Sequence, residues 1–178
     1  EGLVSGVFTW GTPPLSNPIK EIHAFLPNPA APLLYKSVLH SEEAIEFVTQ
    51  CFGTWSEDLR PYADIVLKTS SEARPSLGAS VGQLNFADEV KAITKAKFPV
   101  AIMYAQEDKL INPDHFLSIQ NENLWEGKCH SLPGSHFCHL DHPEEFNQSL
   151  LSYTQSIENL FFSDDRKVII KDHVSVSV

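Results

Sequence analysis

Three scarcities bound what this 178-residue chain can be. Positive charge is short: 13 Lys and Arg stand against 23 Asp and Glu, a formal net charge of -10. So acidic a chain attracts neither a phosphate backbone nor an anionic lipid surface, and no nucleic-acid or membrane partner is expected. Cysteine is sparse and odd in number: Cys51, Cys129 and Cys138. That usage suits reduced thiols in a cytoplasmic compartment, and no disulfide framework is expected. Long apolar runs are missing, for none approaches the roughly 18 residues of a membrane helix. The first residues, EGLVSGVFTWGTPP, lack the basic n-region of a secretory signal. Repeats and low-complexity tracts are missing too. What is left is an ordinary globular composition, 42% hydrophobic and 20% charged, long enough for one domain with a sizeable core.

The chain divides by its breakers and its apolar periods. Leu3 to Trp10 reads as a buried strand that stops at the turn Gly11-Thr12-Pro13-Pro14. A core strand so close to residue 1 is expected either to be a sheet edge or to follow something outside this sequence. Residues 15–97 read as a mainly helical block. Its first part holds six prolines counted from Pro13 (Pro13, Pro14, Pro18, Pro27, Pro29, Pro32), with room for one short turn around Ile19–Phe25. Ser41-Glu42-Glu43 opens a helix with Ser41 as the expected cap and Ala44, Phe47, Val48 and Cys51 as its apolar stripe; Gly53 closes it. A second helix starts near Ser56-Glu57-Asp58, or later because of Pro61, and carries Leu59, Tyr62, Ala63, Val66 and Leu67. Arg74 to Gly82 reads as loop, and Phe86 to Ile93 as a further short helix. Such a block between two strands has the look of a lid over a site.

Residues 98–162 carry the chemistry. Pro99 to Tyr104 is an apolar run ending on the acidic turn Glu107-Asp108. Lys128 to Leu132 is a second strand-like run, and its turn Pro133-Gly134-Ser135 delivers His136. Asp108 and His136 thus both follow the C-terminal ends of candidate strands, the edge of an open α/β sheet where chemistry is done. An Asp beside a His fixes the imidazole tautomer and stabilises the imidazolium formed when the His takes a nucleophile's proton. A helix is then expected from Asp141-His142-Pro143, capped by Asp141 or His142, through Phe146, Leu150, Leu151, Tyr153 and Ile157 to about Phe161. Residues 163–178 read as a tail, with Val174, Val176 and Val178 alternating as a strand would.

These segments resemble the C-terminal portion of the α/β-hydrolase superfamily. P-V-A-I-M-Y-A-Q-E-D resembles that family's last-but-one strand and acid turn, and P-G-S-H-F-C-H-L-D-H-P-E-E-F resembles its His turn and following helix. L-V-S-G-V-F-T-W-G-T-P-P resembles the strand after the nucleophile-bearing helix. The resemblance covers residues 1 to 162 in order. Ala105 and Ser135 stand where the family often has Gly. It implies a fold class of α/β type, about three parallel strands with flanking helices and an inserted lid. It implies Asp108 as the catalytic acid and His136 as the base. It also implies that the nucleophile, the oxyanion hole and the first strands belong to an N-terminal half not in this sequence.

Two other constellations were weighed against this. Gly78-Ala79-Ser80-Val81-Gly82 matches G-x-S-x-G, and Ser80, Asp108 and His136 follow in the family's order. Ser80 is rejected as nucleophile, because no apolar strand precedes it and no convincing helix follows. The cluster His136, His139, Asp141 and His142 resembles part of a metallo-lactonase signature, but Phe137 stands where a ligand should be and further ligands downstream are lacking. No metal and no cofactor is expected.

The resulting expectation is a hydrolase of an ester, lactone or similar carboxylic bond, serine-type by preference, with this chain alone inactive. Its substrate would be small and apolar, met by the lid residues Phe25, Leu33, Leu34, Tyr35, Phe47, Phe52, Trp55 and Tyr62. The alternative is a non-catalytic fragment or truncated relative that only folds or binds. The missing half, or a second copy of the chain, would pair at the Leu3–Trp10 edge.

Overall fold

The computed structural model describes the backbone over residues 4–173 and the side chains over 4–160. A parallel sheet of three strands, β1 (Val7–Trp10), β2 (Val100–Ala105) and β3 (His130–Leu132), lies at its centre in the order β1-β2-β3. Val7 pairs with Val100 and Trp10 with Met103, while Met103 also pairs with His130. Every residue of β2 is buried. A strand covered on both faces must be apolar throughout, and Val100-Ala101-Ile102-Met103-Tyr104-Ala105 is such a run.

Alternation along β2 divides the core in two. Ala101, Met103 and Ala105 face a cluster with Leu132, Cys138, Phe146, Tyr153 and Ile157. Val100, Ile102 and Tyr104 face another with Ile111, Phe116 and Leu124. Burying each large side chain of this kind contributes about 1.5–3 kcal/mol. Phe8 and Trp10 of β1 extend the first cluster by edge-on contact with Phe146.

The helical block forms its own small core. α1 (Ser41–Phe52) and α2 (Arg60–Lys68) pack around Ala44, Val48 and Ala63. The cap of α1 is His40 rather than Ser41. The His40 amide donates to Glu43 Oε2 at 2.9 Å, so the acid three residues on decides where the helix begins. A 3-10 turn (Glu57–Leu59) precedes α2, and Pro61 is accommodated in its first turn.

The stretch read as loop from Arg74 to Gly82 is instead α3 (Ala73–Gly82). Pro75 is its third residue, where the backbone N–H has no helical partner to lose. α4 (Glu89–Thr94) is capped by Asp88, which accepts from Lys91 N at 2.8 Å.

The proline-rich segment holds two 3-10 turns, Ile22–Ala24 and Ala31–Tyr35. Between them it joins the loop after β2. Leu26 N donates to Leu110 O (3.0 Å), Asn112 N donates to Ala24 O (2.9 Å), and Phe25 bridges Ile111 in antiparallel sense. α5 (Pro113–Leu117) follows, capped by Asn112.

After β3 come α6 (Cys138–Asp141) and α7 (Pro143–His173). Asp141 thus ends α6 and does not cap α7. α7 also runs past Phe161, to His173. The strand expected over Val174, Val176 and Val178 lies outside the described residues, as does Leu3. Tyr153 Oη donates to Pro99 O at 2.6 Å and ties α7 to the entry of β2.

Candidate active site

The end of β2 and the end of β3 are sewn together before either delivers a functional side chain. Gln106 N donates to Leu132 O (2.9 Å) and Glu107 N to Gly134 O (3.0 Å). Asp108 follows directly and is buried. Its Oδ1 accepts from Leu110 N at 2.8 Å and Ile111 N at 3.0 Å. This is the local Asx turn that short acidic side chains favour. Its Oδ2 remains for the imidazole and lies 2.8 Å from His136 Nδ1. Asp108 is therefore held by its own loop and can act on His136 only in one direction.

The turn that carries His136 is held on both sides of the residue, and Gly11 meets the ring. Ser135 N donates to Asp141 Oδ2 at 2.9 Å, Ser135 Oγ donates to the same oxygen, and Phe137 N donates back to Ser135 Oγ at 3.3 Å. Gly11, at φ +64°, lies against the ring; a Cβ there would stand 3.3 Å from His136 Cε1. Only glycine suits both that dihedral and that approach. Gly134, at φ +90°, turns the chain where a Cβ would come within 2.5 Å of His142 Cδ2. In sequence Gly11 is only a strand breaker; its neighbourhood of His136 has no local signal.

His136 lines a cavity of about 530 Å³, within the range of roughly 300–1,000 Å³ usual for small-molecule sites. The other walls are mostly apolar, with Leu15, Phe25, Leu34, Phe47, Ile111 and Phe137 among them, and Thr12, Asn28 and Tyr35 as the polar members. Among the described residues, no carboxylate, ammonium or guanidinium lines it. Asn28 does, but its amide already serves Gln50 Oε1, Lys109 O and Ala30 N. Of the lid residues expected at a substrate, Phe25, Leu34, Tyr35 and Phe47 reach this cavity. Phe52 and Tyr62 pack against each other at a tilt instead, and Phe52 meets Phe137 edge-on at 5.0 Å. A second cavity, about 240 Å³, lies against Val7, Thr9, Val100 and Ile102 and includes neither Asp108 nor His136.

Ser80 sits in the last turn of α3 and is not part of the His136 cavity. Among the described residues, no side chain hydrogen-bonds to His136 Nε2. Cys51 shares the cavity, but burial, with the Asp108 charge adding, pushes its thiol up to about 12. It is a neutral thiol at ordinary pH and a poor nucleophile.

The histidine cluster is dispersed into separate contacts. His139 packs against Trp10, Phe137 and Phe146, and burial lowers its pKa, with Asp141 opposing. His142 Nδ1 lies 3.8 Å from Glu145. Among the described residues no three metal-type ligands converge.

No protein-family model and no curated protein sequence matches the chain. Solved structures do. An N-acyl homoserine lactonase, AidH, complexed with N-hexanoyl homoserine lactone, superposes with a TM-score of 0.77 at 21% identity over 86% of this chain. An aryl esterase from Burkholderia cenocepacia gives 0.66 at 14% identity over 88%. A meta-cleavage product hydrolase from Pseudomonas fluorescens IP01 gives 0.60 at 10% identity over 84%. The chain spans 56%, 56% and 55% of their respective lengths.

Proposed function

The chain has the α/β-hydrolase fold, in its C-terminal portion, and on that premise we propose that it supplies the acid and the base of a carboxylic ester or lactone hydrolase. The observation that carries this is the contact of 2.8 Å between buried Asp108 Oδ2 and His136 Nδ1, at the wall of an apolar cavity. A carboxylate so placed keeps the proton on Nδ1 and leaves Nε2 free to accept one.

The reaction then runs as an acyl transfer. The nucleophile's oxygen adds to the substrate carbonyl carbon while its proton passes to His136 Nε2. The tetrahedral adduct collapses, the C–O bond to the alcohol breaks, and the alcohol leaves with that proton. Water repeats the sequence: it gives a proton to Nε2 as its oxygen adds to the acyl carbon, the bond from that carbon to the nucleophile's oxygen breaks, the nucleophile takes the proton back from Nε2, and the acid is released. Asp108 stays ionised and stabilises the imidazolium in both halves. A serine on a strand–elbow–helix outside these 178 residues is our reading of the nucleophile. The fold likeness supports it, and so does the free Nε2 among the described residues. That same free Nε2 favours a second reading, a polypeptide that folds or binds without turnover.

A chromogenic short-chain ester separates the two. Hydrolysis is expected from a polypeptide extended upstream of Glu1 and is expected to vanish in His136→Ala. Full turnover by the 178-residue chain alone, abolished by Ser80→Ala, would overturn the assignment of the nucleophile. An extended protein with no turnover leaves the non-catalytic reading.

A further inference from the structure

The Gly78-Ala79-Ser80-Val81-Gly82 motif has no part in the chemistry above, yet the structure gives its first residue a role. α3 rests on the 3-10 turn Ala31–Tyr35, and Gly78 lies against the Tyr35 ring. A Cβ at Gly78 would stand 2.9 Å from Tyr35 Cδ1, 3.2 Å from Cγ and 3.3 Å from Cβ. Those are separations at which the ring must move. Gly82, by contrast, has open space around it. The Tyr35 ring that meets Gly78 also lines the His136 cavity. It is 45% exposed, which places it at the rim of the cavity, with solvent on its open side.

We propose that Tyr35, seated against Gly78, sets the length of the uncharged apolar chain that the His136 cavity accepts. The cavity's lack of charged walls and the occupied amide of Asn28 select an apolar, uncharged group. Linking that group to an ester or lactone rests on the hydrolase reading; its binding does not. Adding a methyl at Gly78 drives the ring off the helix and narrows the rim. Removing the ring widens it. The two changes therefore act through one side chain and cannot be independent.

The test is calorimetric binding of straight-chain primary alcohols, from butanol to decanol, to the 178-residue chain. Affinity is expected to rise about fourfold per buried methylene until the rim is reached. Tyr35→Ala is expected to move that limit to longer alcohols. Gly78→Ala and Tyr35→Trp are expected to move it to shorter ones, and the double variant Gly78→Ala/Tyr35→Ala is expected to match Tyr35→Ala. An undiminished effect of Gly78→Ala in the Tyr35→Ala background overturns the proposal. So does an unmoved limit in both Tyr35 variants, or no binding of any alcohol. These outcomes are separable from ester turnover. An extended protein that hydrolyses nothing while the alcohol series behaves as stated refutes the hydrolase reading alone.

Discussion

The acid turn and the lid wall enclose one cavity but hold their shapes by different means. Asp108 sits in a loop whose backbone is hydrogen-bonded to β3, to its own carboxylate and to residues 24–26. Its position is fixed by directional bonds inside a buried setting. The lid wall at the 3-10 turn Ala31–Tyr35 holds Pro32 and a glycine contact, with Tyr35 about half exposed. Its position is set by packing, which yields more easily. The difference matches the demands on each. On the proposed function, a base must keep its tautomer and orientation from one turnover to the next, whereas a pocket rim only has to exclude what does not fit.

The comparison is broken most severely at Asp108. Asp108→Asn keeps an oxygen for the Leu110 and Ile111 amides but presents an NH₂ group to His136 Nδ1. The imidazole is then held in the wrong tautomer, and ester turnover by the extended protein is expected to fall about 10⁴-fold. Unfolding in urea should change little. Asp108→Ala should be as inactive and also less stable by about 1–3 kcal/mol, because two buried amides lose their acceptor. If Asp108→Asn turned over esters at a near-native rate, the directional role of this carboxylate would be lost.

The next largest effect sharpens the contrast between sheet and lid. Met103 is fully buried at the centre of β2, and Ile65 on α2 is 63% exposed. Met103→Ala is expected to cost about 2–5 kcal/mol of unfolding free energy. Ile65→Ala is expected to stay within about 0.5 kcal/mol of the parent. Equal losses in a urea titration would mean that the α1–α2 pair is as tightly integrated as the sheet.

The smallest effect is one of pH. Burial holds His139 below its ordinary 6.5, against the opposing charge of Asp141. The unfolded chain therefore takes up the proton first as pH falls. The contribution of neutral His139 is complete above about 6.5 and is lost as pH drops through the lower, folded value. Stability is expected to decline as pH falls below about 6.5, and His139→Phe, which keeps a ring beside Trp10 and Phe146, should flatten that decline. His115 is shifted in the same direction and for the same reason. A variant with an unchanged slope would assign the decline to His115 and the carboxylates.

The two regions also differed in how far the sequence disclosed them. Asp108 was legible because it follows an apolar run and a turn, and His136 because a strand-like run and a small-residue turn precede it in a segment that resembles the α/β-hydrolase His turn. The lid was legible only as a block. α3 was hidden by Pro75, Gly78 and Gly82, residues that argue for a loop by propensity. Pro75 costs nothing in a first turn, and Gly78 is required by Tyr35, 43 residues away, a contact that no local pattern encodes. The cap of α1 went to His40 instead of Ser41 because Glu43 reaches back to the His40 amide. The same remoteness hid Gly11, which looks like any strand-ending glycine until the His turn closes over it.

The bonds that join Ala24 and Leu26 to Asn112 and Leu110 have a consequence for anyone recombining this protein with its structural relatives. The lid's first segment shares a ladder with the acid turn, and Lys109 Nζ reaches Gly53 O at the end of α1. A chimaera cut at residue 15 would carry away half of the ladder that holds Asp108. A graft that begins after Asn28, and replaces the partner of Lys109 at its far end, would exchange the pocket while leaving the acid turn intact.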